Sequence, residues 1–306
     1  LSQKFAQAMN ILAADIKEEE IINIYGIDAN YYYLTESLCW PILKEIVEEK
    51  LMADPEQVND RMRELSLKLP VDSDIQIAIR FIEQSALYYA QVRGLGTLKL
   101  NSTKEYIEKY TEEFYLVDLY YRRTLEAYHE LITKENPIEQ TLSSAKRQLD
   151  LEYAKITNVL NLEWLTCVRE KGAWFTETGL KRQEDFYKNE SDTSVKQVVI
   201  VCDALRYEVA KELMQELAKE KHIATIDAYQ AMLPTETKYC KPALLPHHSL
   251  ELNGTDMMVD GTLLTTTEQR TAHLGKYREG AICTRYEDVM NGDQQAMRLD
   301  MRGQRN

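Results

Sequence analysis

Residues 198–203 read VVIVCD, and this run constrains the fold more than any other. Four branched apolar residues, a cysteine and an aspartate predict a strand buried on both faces that ends in a carboxylate. A charge is costly to bury, so Asp203 belongs at the carboxyl end of that strand, where open α/β sheets place their ligands. Helical pattern follows at once. Leu205, Val209, Leu213 and Leu217 share one face, and Arg206, Glu208, Lys211, Glu212, Glu216 and Lys219 lie largely off it. A second strand-like run at 223–232 completes a predicted βαβ unit. It leads into Leu233-Pro234-Thr235-Glu236-Thr237-Lys238. The two strand ends thus point Asp203 and Thr237 toward the same edge of one sheet.

The sequence before this run has a different character. Residues 1–190 hold five of the eleven glycines, and the first 93 hold one, Gly26. Apolar residues recur at helical spacing throughout, which predicts an all-helical domain over 1–190. Phe5, Met9, Leu12 and Ile16 make a first face. A helix over 31–50 begins or kinks near Pro41. Asp54-Pro55 starts another, carried by Val58, Met62 and Leu65, and Pro70-Val71-Asp72 makes a turn. A helix over 75–89 ends at Gly94-Leu95-Gly96. The strongest runs from Ser102 or Thr103 to about Lys134, and Ser102 and Glu105 stand at capping-box spacing. Its stripe of Tyr106, Tyr110, Phe114, Val117, Tyr121, Leu125 and Tyr128 suggests either base stacking or a bundle core, and the core reading is preferred. Asp118 and Arg122, four apart, are positioned to pair. Pro137 breaks the chain, and a long helix over 142–170 follows, with Leu149, Tyr153, Ile156, Leu160 and Trp164 on one face. The polar run 188–194 reads as the linker into a second domain, 195–306.

From Val198 the pattern is β-α-β, then a short helix over 238–245 that ends before Pro246. Turns follow at Asn253-Gly254 and Asp260-Gly261, helical pattern over 268–277, and strand character over 281–289. One helix and two or three strands do not close a doubly wound sheet. The chain starts at Leu1 and ends in Arg302-Gly303-Gln304-Arg305-Asn306, which reads as an internal piece of something longer. No apolar run approaches the roughly 20 residues of a membrane span, and no signal-peptide pattern stands at this start. The five cysteines form no CxxC, which predicts reduced thiols in the cytoplasm. A net charge of −13 argues against a general nucleic-acid surface.

Asp203 suits three roles at a strand end: metal ligand, Walker-B aspartate, or cap of the helix that follows. The Walker role needs a GxxxxGK[ST] loop, and the sequence has none. Thr237 precedes a helical run, where a hydroxyl sits among free backbone N–H groups; Thr235 and Thr237 also suit an ordinary N-cap. Arg206 and Lys238, next to these two residues, are candidates to neutralise phosphate oxygens. His247-His248 are weaker candidates for metal ligands, lacking an acidic partner at ligand spacing.

VVIVCDALRYEVAKEL, followed about thirty residues later by LPTETKYCKPALLP, resembles the PglZ domain. So does the helical region before it, with YLVDLYYRR, NLEW and DFY. The likeness covers roughly 100–290. PglZ proteins belong to the alkaline phosphatase superfamily and are components of BREX phage-defence systems. The resemblance implies an α+α/β chain: an all-helical domain, then the first part of an alkaline-phosphatase-like α/β domain over 195–306. It implies Asp203 as metal ligand and Thr237 as nucleophile and ligand, with Thr235 less favoured. It also implies two divalent metal ions, usually zinc, completed by later Asp and His residues that this sequence does not contain. One carboxylate and one hydroxyl do not close a zinc site, which needs about four ligands. The function so implied is metal-dependent phosphatase or phosphodiesterase chemistry. The Thr237 alkoxide attacks phosphorus, a phosphothreonine forms, and metal-bound water hydrolyses it. The substrate is a phosphate ester of a nucleotide, nucleic acid or phosphoprotein, and the partners are other BREX defence proteins. The alternative is a non-catalytic interaction or scaffold component, which the acidic charge and long amphipathic helices also suit.

Overall fold

The computed structural model describes residues 4, 11, 23–26, 36–69, 73–171, 178–192 and 194–291. The predicted face of Phe5, Met9, Leu12 and Ile16 and the turn at 70–72 lie outside the described residues. The chain divides into two units, Leu1–Thr178 with Arg206–Glu220, and Gly179–Leu205 with Lys221–Asn306. A helical region is thus followed by a smaller part in which short strands and helices mix.

In the first unit, α1 (Glu36–Glu45) runs through Pro41 into a wider π turn, Ile46–Lys50. Helix α2 (Pro55–Lys68) starts where the sequence predicts. Asp54 accepts a hydrogen bond from the Gln57 N–H at 3.2 Å, and Pro55 occupies the first turn, where a missing donor costs nothing. Ser73 caps α3 (Asp74–Gly94) by accepting from the Ile75 N–H at 3.3 Å. The predicted long helix is present in three pieces: α4 (Thr103–Lys109), a π turn (Tyr110–Phe114) and α5 (Tyr115–Leu131). Ser102 accepts from the Glu105 N–H at 3.2 Å. The Glu105 carboxylate returns to the Asn101 N–H at 2.9 Å, one residue earlier than a capping box requires. Helix α6 (Glu139–Lys171) follows.

The core is built around α3, which packs on α2 and α5. Ile75, Ala78, Phe81, Ile82, Ala86 and Tyr88 have no exposed surface, and Ile42, Leu43, Met62 and Leu65 close over them. Each large apolar side chain so buried contributes about 1.5–3 kcal/mol. Burial also pushes the Cys39 thiol up to about 12, so it acts as a small hydrophobe. The aromatic stripe belongs to this packing. Tyr106, Phe114 and Val117 are buried, and Tyr121 stacks on Tyr153 of α6 with ring centres 3.7 Å apart.

The predicted Asp118–Arg122 pair does not form. Asp118 instead accepts from the Tyr110 and Tyr153 hydroxyls, each at 2.7 Å, and lies 3.4 Å from Arg206. Arg122 turns to Glu126 at 2.7 Å and to Glu212, which also accepts from Arg123 at 2.7 Å.

In the second unit, β1 (Lys181–Arg182), a 3₁₀ turn (Gln183–Asp185) and α7 (Phe186–Glu190) come first, so α7 occupies the start of the predicted linker. Helix α8 (Tyr207–Lys219) groups with the first unit. The second unit continues with β2 (Tyr229–Gln230) and α9 (Thr237–Ala243). Next come β3 (Leu250–Asn253), β4 (Asp256–Val259), β5 (Thr262–Leu263), α10 (Thr267–Gly275) and α11 (Tyr286–Asn291). β1 pairs in parallel with β2 over two residues, and β3-β4-β5 form an antiparallel meander. The meander's second turn, Asp260-Gly261, has positive φ at both residues (49° and 73°), the form that suits a two-residue hairpin.

The predicted buried strand at 198–203 is not one. Val198, Val199, Ile200 and Val201 are extended but 49–77% exposed, and no strand pairs with them among the described residues. A parallel strand exists only with neighbours on its edges and layers on its faces. The second predicted strand shrinks to Tyr229–Gln230. The predicted strand at 281–289 gives way to α11, whose first turn carries Glu287 and Asp288, favourable at a helix N-terminus.

The amphipathic reading of α8 also needs correction. Leu213, assigned to the apolar face, is half exposed, while Glu208, assigned to the polar face, has no exposed surface. Its carboxylate lies 3.0 Å from Arg206 Nε and 3.9 Å from Arg122 Nε, close in charge but off the N–H axes. Breaking a buried ion pair costs about 3–5 kcal/mol, less where the partners keep other carboxylates. We expect Glu208→Ala to lower stability by about 2–3 kcal/mol in urea unfolding. A loss under about 0.5 kcal/mol would show that this carboxylate does not anchor α8.

Candidate functional site

Asp203 and Thr237 lie 34 positions apart, both in the second unit. Asp203 sits in a turn after the extended run, followed by Ala204 with φ 55°. A left-handed alanine costs roughly 1–2 kcal/mol, so the surrounding chain holds this bend against its own preference. Thr237 is the first residue of α9. Its hydroxyl approaches Asp203 Oδ1 at 3.3 Å, long for an O–H···O bond. The other carboxylate oxygen, Oδ2, lies 3.6 Å from Lys241 Nζ. One carboxylate therefore brings a hydroxyl and an ammonium together, all on accessible surface.

The two cations expected beside these residues are directed elsewhere. Arg206 pairs with Glu208 and Asp118 in the first unit. Lys238 lies 3.4 Å from Glu236 and 4.6 Å above the Tyr239 ring; the Tyr239 hydroxyl first, and Glu236 after it, hold its pKa above the ordinary lysine range. The residue that sequence reasoning missed is Lys241. Its signal was present: it stands four positions after Thr237 on the same short helix. In the same helix, burial first and the Asp203 charge second push the Cys240 thiol up, which disfavours its thiolate.

The residues present do not fit a complete metal site. Asp203 and Thr237 offer two oxygen donors, and among the described residues no three His, Cys, Asp or Glu side chains come together as ligands. The histidines after Pro246 serve structure. His247 Nδ1 bonds the Leu245 carbonyl at 2.7 Å. His248 Nδ1 lies 2.8 Å from the Tyr277 hydroxyl, which itself donates to Asp260 at 2.7 Å. A hollow of about 550 Å³ is lined by His248, Ser249, Asp260, Lys276 and Tyr277, and a second of about 320 Å³ by Arg80, Gln84, Arg123, Glu126 and Glu130. Neither contains Asp203 or Thr237.

Residues 184–305 match the family described as the BREX system PglZ alkaline phosphatase-like domain. The chain is 27% identical over 230 residues to the alkaline phosphatase-like protein PglZ of Bacillus cereus (strain H3081.97), covering 71% of this chain and 26% of that protein. It is 34% identical over 114 residues to the alkaline phosphatase-like protein BrxZ of Escherichia coli O9:H4 (strain HS), covering 34% of this chain and 13% of that protein. The chain thus spans about a quarter or less of the length of these relatives. No solved structure matches. No described helix is long and apolar enough to cross a membrane.

The hydrogen-bonded Asp260 gives a pH prediction. The Tyr277 hydroxyl first, then the Ser249 and His248 N–H groups, hold its carboxyl well below the usual carboxylate range. A depressed folded-state pKa stabilises the fold above the unfolded value of about 3.9, and that stability fades as pH falls toward the folded value. Asp260→Asn keeps a residue that tolerates positive φ. It should narrow the difference in melting temperature between pH 7 and pH 3; an unchanged difference would show that these three donors do not favour the charged form.

Proposed function

We propose that the intact protein is a phosphoric ester hydrolase of a BREX defence system, with Thr237 as the nucleophile and Asp203 as its partner and metal ligand. The reading rests on the Thr237 hydroxyl standing 3.3 Å from Asp203 Oδ1, within a match to an alkaline phosphatase-like family. The carboxylate accepts the hydroxyl's hydrogen bond and so orients it. Phosphoryl transfer joins Thr237 Oγ to phosphorus and breaks the ester bond. The alcohol leaves with the threonine's proton; water then attacks the same phosphorus, the Thr237 Oγ–P bond breaks, and phosphate leaves as the hydroxyl regains a proton from that water. Divalent ions, with zinc as the expected metal, would supply Lewis acidity, and this chain offers them Asp203 Oδ1 and Thr237 Oγ1. The substrate class is a phosphate ester of a nucleotide, nucleic acid or phosphoprotein. The free thiols suit a cytoplasmic setting.

A second reading, a docking component for other BREX proteins, is favoured by α6. Leu151, Val159, Leu162 and Leu165 on that helix are 40–66% exposed. Both roles are compatible in one protein.

The test uses the intact protein with zinc or manganese, an aryl phosphomonoester and a phosphodiester. Thr237→Ala and Asp203→Ala should each lower turnover by at least about 10²–10³-fold while the far-UV circular dichroism is unchanged. Wild-type turnover in both variants would remove Thr237 and Asp203 from the chemistry, and an intact protein that hydrolyses neither ester while both variants keep phage resistance would leave the docking role as the function.

A further inference from the structure

We propose that Lys241 is the cation that receives the substrate's phosphoryl oxygens. This rests on the phosphoric-ester reading of Asp203 and Thr237. A phosphate ester carries one or two negative charges, and this site begins with the negative charge of Asp203 on a chain of net charge −13. Without a local cation the carboxylate that orients Thr237 would repel the substrate. Among the described residues, Lys241 is the side chain that ion-pairs with Asp203.

The placement follows from α9. Thr237 and Lys241 stand four apart, so both rise from one face of the helix, roughly one turn from each other. Asp203 spans that turn, with Oδ1 at the hydroxyl and Oδ2 at the ammonium. Lys238, one residue after Thr237, is rotated about 100° away on a helix and is held by Glu236 and Tyr239. The backbone at Lys241 leads directly into Pro242 and Ala243, which are both buried. Its ammonium is not fixed. The 3.6 Å separation exceeds a charge-assisted hydrogen bond, and the two side chains are 35% and 61% exposed. Such a pair is weak in water. An anion at Thr237 Oγ can draw Lys241 from Asp203 without breaking a strong interaction. Lys241 is thus a counter-charge to Asp203 that becomes a ligand to phosphate when substrate binds.

The experiment compares the intact wild-type protein with K241Q, K241R and K238Q. Inorganic phosphate is the probe, titrated by calorimetry and as an inhibitor of aryl phosphomonoester hydrolysis. K241Q should raise the phosphate dissociation constant at least about tenfold, K241R less than about threefold, and K238Q less than about twofold, the loss of one charge-assisted contact setting the scale. A lysine that merely supports the fold would shift the melting temperature of K241Q and leave its phosphate affinity intact; that result overturns the proposal. So does a larger loss in K238Q than in K241Q, or a wild-type protein that takes up no phosphate. Ester hydrolysis lost in Thr237→Ala with phosphate affinity unchanged in K241Q sinks the lysine and leaves the nucleophile standing. Phosphate affinity lost in K241Q with hydrolysis unchanged in Thr237→Ala does the reverse.

Discussion

A carboxylate removed from water must meet its counter-charge inside the protein, and Glu208 is removed from water entirely. The arginines around it, Arg206 and Arg122, are themselves shared with Asp118, Glu126 and Glu212. Charge pairing at Glu208 and Glu212 therefore joins the packing of Tyr207 on Tyr110 and Tyr115 in holding helix α8 to the helical unit. The same constraint redirects Arg206. An arginine next to a candidate catalytic aspartate in sequence becomes a structural group, because a buried carboxylate two residues later demands it more strongly than open solvent does. The Asp118 hub obeys the same rule. Two tyrosine hydroxyls satisfy its oxygens, and burial pushes one of those phenols, Tyr153, up to about 12.

The candidate site works under the opposite condition. Asp203 is mostly exposed, and its contacts with Thr237 and Lys241 are long. Little stability is stored there, and little is lost when a ligand rearranges it. Neither hollow in the structure includes these three residues. The whole protein's reaction is a proposal, since the chain spans about a quarter or less of its curated relatives.

Much of the helical unit was legible in the sequence, because its signals are local. Asp54-Pro55 and Ser102 mark helix starts through bonds that span three residues, and each cap forms. The tyrosine stripe packs as its spacing predicts. The Asp260-Gly261 turn was legible for the same reason: left-handed backbone favours those residue types. Strands were read less well. The runs at 198–203 and 281–289 have strand composition, but a strand is completed by its neighbours, and composition does not supply them.

By itself, the sequence determined which side chains are chemically able to take part: an aspartate after an apolar run, a threonine before a helix, and lysines around them. Those are properties of residue type and short-range order. The meeting of Thr237 with Asp203, 34 positions away, was already expected from the order of elements. Tertiary structure alone decided which charges join them: it placed Lys241 rather than Lys238 at Asp203, and drew Arg206 to Asp118 and Glu208. Pairings of charge depend on distance and burial, and periodicity along a chain carries neither.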